Sequence, residues 1–184
     1  IDLGLTQKDI SISMQTIEAF NAKRIDSSTE RRSFVREPVI LSLDSNSATG
    51  NPGSRVSVQK HPDGTVEGFR EWNLGDSVAV QVADAAVGSI RLKEYADIRV
   101  SGESAAVESY GRSDNRPVVH WLPLEMGREA KLHRPEDGTI ISERGLLEDF
   151  ELEVGKVYQL ERVGFAKLEE LPENGPASLL WLHR

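Results

Sequence analysis

Near the end of the chain, in KVYQLERVGFAKLEE (residues 156–170), Gln159, Glu161 and Arg162 interrupt a run of apolar side chains at Val157, Leu160, Val163, Phe165 and Leu168. An amide carries both a donor and an acceptor, and a guanidinium supplies charge-assisted donors, so such a trio could hold a polar ligand. The plainer reading is a half-buried strand that turns these residues to water, with Glu161 and Arg162 as a surface ion pair. Two further polar groupings stand out. Lys23, Arg24, Arg31, Arg32 and Arg36 fall within fourteen residues, and SIRLKEY places Arg91 and Lys93 two apart. Period two sends both of these to one face of a strand while Ile90 and Leu92 point inward, which is equally the pattern of an ordinary amphipathic strand.

Other chemistries find little support. His61, His120, His133 and His183 show no HxxxH spacing, and the chain has no cysteine to complete a zinc site or act as a nucleophile. There is no GxxxxGK[ST] loop, no GxGxxG and no GxSxG elbow. Adjacent carboxylates such as Glu136 with Asp137 and Glu169 with Glu170 sit in polar, turn-rich surroundings, where nothing would separate their pKa values into an acid and a base. The residues alone suggest a binding module.

The elements that must position them read as mainly β. With 184 residues, 38% of them hydrophobic, the chain can build a core without disulfide or metal. Its net charge of −8 opposes non-specific attraction to nucleic acid, but the charge is uneven: residues 1–60 hold eight basic and seven acidic side chains, residues 61–184 fourteen and twenty-three. A local basic spot therefore survives on an acidic protein. Apolar runs such as VVHWLPL are too short to span a bilayer, and no signal peptide opens the chain, so the expectation is a soluble cytoplasmic protein. A helix is expected after Ser13, with Met14, Ile17 and Phe20 as a stripe to be buried, ending at the DSST break. About ten short strand candidates follow, from VREPVILSL to SLLWL, separated by clusters such as SNSATGNPG and HPDG. Two tandem antiparallel β-barrels preceded by a short helical segment accommodate them.

Four stretches, RRSFVREPVIL, SIRLKEYADI, RPVVHWLP and QLERVGF, resemble in order and approximate spacing the carboxy-terminal anticodon-binding half of the archaeal and eukaryotic type of glutamyl-tRNA synthetase, which is shared with glutaminyl-tRNA synthetases. TQKDISISMQTIEAFNAK resembles the stretch that joins the catalytic half to it. The resemblance implies a helical connector over 1–28, a proximal barrel from 29–72 and 141–184, and a distal barrel from 73–140. It implies tRNA(Glu) as partner, with tRNA(Gln) left open, no DNA, no membrane, and a monomer. ATP with magnesium would serve the catalytic domain of the parent ligase, whose HIGH-like and KMSKS-like motifs this sequence lacks, so the fragment needs no cofactor and is inert alone. A non-catalytic protein-interaction module is the alternative.

Carried over residue by residue, the resemblance sets Arg31, with Arg32 beside it, against the middle anticodon base, uracil, together with Gln159 and Arg162 of the closing motif. Because residues three apart in a regular strand face opposite ways, a bulge near Gly164 would have to bring those two together. Arg91 and Lys93 would face the first base. Glutaminyl enzymes read the third base with a basic pair where this chain has VADAAVG and Asp84, a departure that favours a glutamate enzyme. His120 and Trp121 are expected to be structural, the tryptophan buried with one partner for its indole N–H.

Overall fold

The computed structural model describes residues 11–44, 53, 55–111 and 115–184. Ser13 caps helix α1 (Met14–Ile25) by accepting from the Thr16 backbone N–H at 3.2 Å. The stripe expected to be buried is instead exposed, Met14 by 68%, and Asn21 Nδ2 meets His183 Nε2 at 2.6 Å to hold the helix to the last strand. The first ten residues of the expected connector and nearly all of SNSATGNPG lie outside the described residues.

The chain then lays down β1 (Arg31–Arg32), β2 (Phe34–Arg36) and β3 (Pro38–Asp44). A two-stranded ribbon follows, β4 (Arg55–Gln59) and β5 (Phe69–Asn73), and after it β6 (Ser77–Gln81) and the short helix α2 (Val82–Ala85). Next come β7 (Ser89–Leu92), β8 (Asp97–Ser101), β9 (Ser104–Ser109), β10 (Val118–Val119) and β11 (Trp121–Pro123). The remaining strands are β12 (Gly127–Glu136), β13 (Thr139–Glu148), β14 (Val157–Leu160), β15 (Gly164–Glu170) and β16 (Ala177–His183).

These form two seven-stranded, nearly closed barrels. The first has the order β1-β14-β15-β16-β12-β13-β2 and the second β10-β7-β8-β9-β3-β6-β11. In each, the first and last strands of that order are consecutive in the chain, separated by one residue: Ser33 in the first barrel and His120 in the second. Four strand pairs run parallel, β1 with β14, β10 with β7, β12 with β16 and β3 with β9, so the barrels are mixed where purely antiparallel ones were expected. Sheet membership also differs from the expected division. Pro38–Asp44 belongs to the second barrel and Gly127–Glu136 to the first, so the second barrel interrupts the first but begins and ends earlier in the chain than 73–140. The reason is local. VREPVIL looks like one strand, but Glu37 takes φ +44° and Pro38 cannot donate to a ladder, so the chain leaves one barrel and enters the other between them.

A similar break divides KVYQLERVGFAKL. It is a hairpin, β14 and β15, closed at the Leu160–Gly164 pair, with Arg162 at φ +65° in its turn. Gly164 sits at φ +127°, and a Cβ there would lie 2.5 Å from the His183 carbonyl oxygen, so no other residue fits. Two apolar cores fill the barrels. One is built around Leu132, Tyr158, Leu160, Leu168 and Leu179, the other around Leu41, Ile90, Leu92, Ile98 and Trp121. The ribbon caps the second, its Trp72 meeting Trp121 edge to face at 5.3 Å between ring centres, while Val35 and Leu146 extend that core across the barrel junction.

Candidate nucleic-acid interface

Between the barrels and the ribbon opens a cleft of about 600 Å³. Its walls are Arg31 from β1, Gln159 from β14, Glu161 and Arg162 from the following turn, Ser57, Gln59, Phe69 and Arg70 from the ribbon, Lys93 and Glu94 from the turn after β7, and His120 from the seam of the second barrel. Arg31 and Gln159 are partners in the parallel β1–β14 ladder, so their side chains leave one face side by side. Arg162 reaches the same cleft without a bulge. Its place in the hairpin turn, with left-handed backbone, frees it from strand alternation. Four basic and two acidic side chains line the cleft, which is locally cationic on a chain of net charge −8.

The polar groups here are incompletely matched. Gln159 Oε1 is buried and has no hydrogen-bond partner. Arg31 Nη1 makes no hydrogen bond but is held in an ion pair with Asp26 Oδ1 at 2.9 Å. A buried polar atom left unpaired costs on the order of 1–3 kcal/mol, and a ligand that pairs it recovers that cost. Arg162 is aimed by the second barrel: its Nη2 donates to the Val118 carbonyl at 2.6 Å and its Nη1 lies 3.3 Å from Asp84 Oδ2 at the end of β6, in α2. The VADAAVG segment thus supplies an acidic anchor for the arginine.

Glu161, which the plainer reading made a surface partner of Arg162, is almost buried at the floor. His120 Nδ1 contacts its Oε2 at 2.6 Å, Lys93 Nζ donates to Oε2 at 2.7 Å, and Arg70 Nη2 donates to Oε1 at 3.2 Å. Burial pushes this carboxyl up, but the His120 hydrogen bond and the Lys93 charge outweigh it and hold the group well below the usual carboxylate range. A lowered folded-state pKa gives stability that is complete above the unfolded value, about 4.3, and drains away as pH falls through the folded value. Urea midpoints measured from pH 7 to pH 2 should therefore show Glu161→Gln less stable than the parent at pH 7, with the gap closing below about pH 4; a constant gap would contradict the network.

Arg70 ties this floor to a second carboxylate. It pairs with Glu148, fully buried, which also accepts from Trp72 Nε1 at 2.7 Å and from the Ser33 backbone N–H at 2.9 Å. Neither Arg70 nor Glu148 was legible as a pair, because each sits at a strand position that alternation gives to an apolar side chain.

The basic residues expected to act together are divided by the structure. Arg31, Lys93, Gln159 and Arg162 line one cleft. Arg32 does not join them. Its guanidinium is wholly buried over the Tyr158 ring at 4.7 Å, paired with Glu30 at 2.7 Å and donating to the Phe150 carbonyl, so it braces the barrel and cannot touch a ligand. Strand alternation accounts for this, since Arg31 and its neighbour must face opposite sides. Arg91 pairs with Asp97 at 2.8 Å and donates to the Gly111 carbonyl, while Lys93 lies past the end of β7 and turns into the cleft. The two therefore do not share a face. Trp121 is buried and donates to the Lys93 carbonyl at 2.9 Å, which seats the lysine. Among the described residues no group of three His, Asp or Glu gathers as a metal set, and no helix is long and apolar enough to cross a membrane.

No protein-family model matches the chain. The glutamate–tRNA ligase of Methanosarcina barkeri is 31% identical over 187 residues, covering 95% of this chain and 31% of that protein. That of Methanothermobacter thermautotrophicus is 31% identical over 92% of this chain and 30% of its own length, and that of Pyrococcus abyssi 28% over 93% and 31%. The chain is thus homologous, nearly end to end, to archaeal glutamate–tRNA ligases, and spans about a third of the length of these curated relatives.

Proposed function

We propose that this chain is the anticodon-binding part of a glutamate–tRNA ligase, with the cleft between its barrels receiving the middle base of the anticodon of tRNA(Glu). The observation that carries the reading is the unpartnered Gln159 Oε1 beside the guanidiniums of Arg31 and Arg162 in one locally cationic cleft. Uracil presents an N3–H donor flanked by two carbonyl oxygens. The amide oxygen accepts from N3–H, and guanidinium N–H groups donate to the carbonyls. Cytosine has no N3–H and replaces one carbonyl with an amino group, so the amide oxygen and the guanidinium facing that amino group stay unpaired. Discrimination then follows from the cost of leaving buried polar groups unsatisfied.

In this reading the splayed base leaves its stack and enters the cleft, as single-stranded RNA does when its edges are read. Lys93, at the opposite wall, faces a neighbouring base or phosphate. The ATP-dependent attachment of glutamate belongs to the remaining two thirds of such a ligase, and this chain is inert toward it. Filter binding of the chain to a tRNA(Glu) transcript and to the same transcript with cytosine as the middle base tests the reading. The expected outcome is roughly tenfold weaker binding of the cytosine form, the loss of one or two base contacts; equal binding would remove the proposal. The alternative, a module that binds protein, has the exposed apolar stripe of α1 in its favour, and it gains if neither RNA binds.

A further inference from the structure

The strongest unassigned feature of the cleft is an aromatic ring. Phe69 lines it and is 55% exposed, although the chain is only 6% aromatic. Lone exposed apolar side chains are common and need no explanation. This one has an address that matters. The ribbon buries Val56, Val58, Arg70 and Trp72, and the two-residue period leaves Phe69 on its exposed face, where it lines the cleft.

Its position relative to the base-reading groups follows from backbone pairing. Phe69 is the ladder partner of Gln59, Lys60 at the end of that strand accepts from the Arg31 N–H at 2.8 Å, and Arg31 is the ladder partner of Gln159. The backbone path from Phe69 to Gln159 crosses three such strand-to-strand steps, roughly 14 Å at 4.8 Å per step. The ring and the amide thus leave different strands of the cleft wall, with room for one base at the Gln159 amide and the next at the Phe69 ring.

We infer that Phe69 is a stacking platform for the anticodon base flanking the one held by Gln159. The inference rests on the anticodon-binding reading and adds a residue to it. A phenyl face offers no hydrogen bonds, so it accepts any base plane. It therefore holds the loop open without specifying sequence and leaves discrimination to the polar wall.

The test uses an anticodon stem-loop RNA of tRNA(Glu) sequence, and a second RNA made abasic at both positions flanking the middle uracil. On the intact RNA, Phe69→Ala should weaken binding by about tenfold, within the range for loss of one stacked base. Phe69→Trp should retain affinity and Phe69→Leu should not restore it. On the abasic RNA the parent and Phe69→Ala should bind alike. The inference is overturned if Phe69→Ala binds the intact RNA as the parent does, if leucine restores full affinity, or if the alanine loss persists without the flanking bases. Should Gln159→Ala weaken binding while every Phe69 variant is neutral, anticodon binding stands and the platform alone falls; should the parent bind no RNA, both fall.

Discussion

Glu148→Gln is expected to lower the stability of the chain by about 3–5 kcal/mol, the cost of removing one member of a buried ion pair. The carboxylate is fully buried and takes the Ser33 N–H, the Trp72 indole N–H and the Arg70 guanidinium. Glutamine keeps the size but loses the charge, and its NH₂ has only donors to face where the second oxygen was. Arg70, itself buried, keeps its bonds to the Gln59 carbonyl, but its only remaining carboxylate is Glu161 at 3.2 Å. For a chain of 184 residues, each kcal/mol moves the melting temperature by roughly 2–4 °C, so a fall of about 6–20 °C should appear in a thermal scan. The double change Arg70→Met with Glu148→Leu should recover much of it, because apolar replacement of both partners removes the stranded charge. A melting temperature within two degrees of the parent for Glu148→Gln, on the order of 1 kcal/mol or less, would show that the pair is not the brace described.

Gln159→Ala is expected to weaken binding of tRNA(Glu) by about 1.4 kcal/mol, roughly tenfold, and to leave binding of the middle-cytosine transcript almost unchanged. The asymmetry is the informative part. In the parent, uracil satisfies an amide oxygen that is buried and otherwise unpaired, while cytosine leaves it as it was; removing the amide therefore erases the difference between the two RNAs. Arg31→Ala should weaken both transcripts, since its charge also serves the phosphates. Equal losses on both RNAs for Gln159→Ala would reduce the amide to a wall of the cleft.

The sequence carried the fold class well. Regular alternation in SIRLKE and SAAVES and the short apolar run in SLLWL, set off by glycine and aspartate clusters, leave little besides short strands, and each of these segments forms one. What it did not carry is which barrel each strand joins. That depends on long-range pairing, and on Glu37 and Arg162 adopting left-handed backbone, a conformation with no strong signature outside glycine. The site was legible in the same measure. The convergence of Arg31, Gln159 and Arg162 came from a resemblance of motifs, whereas Arg32 misled because adjacent arginines read alike until alternation assigns one to the core. Arg70 and Phe69 were invisible for a shared reason: in GFREWN the strand buries its arginine and exposes its phenylalanine, the inverse of the hydrophobic pattern by which strands are recognised.

The closure of the two barrels has a last consequence. Each seam residue is fastened to a carboxylate, Ser33 to Glu148 and His120 to Glu161, and both carboxylates share the side chain of Arg70. Parting either seam would strand a charge in the other. The walls facing the cleft are thus preorganised, and on the anticodon-binding proposal the entropy of ordering falls on the RNA loop.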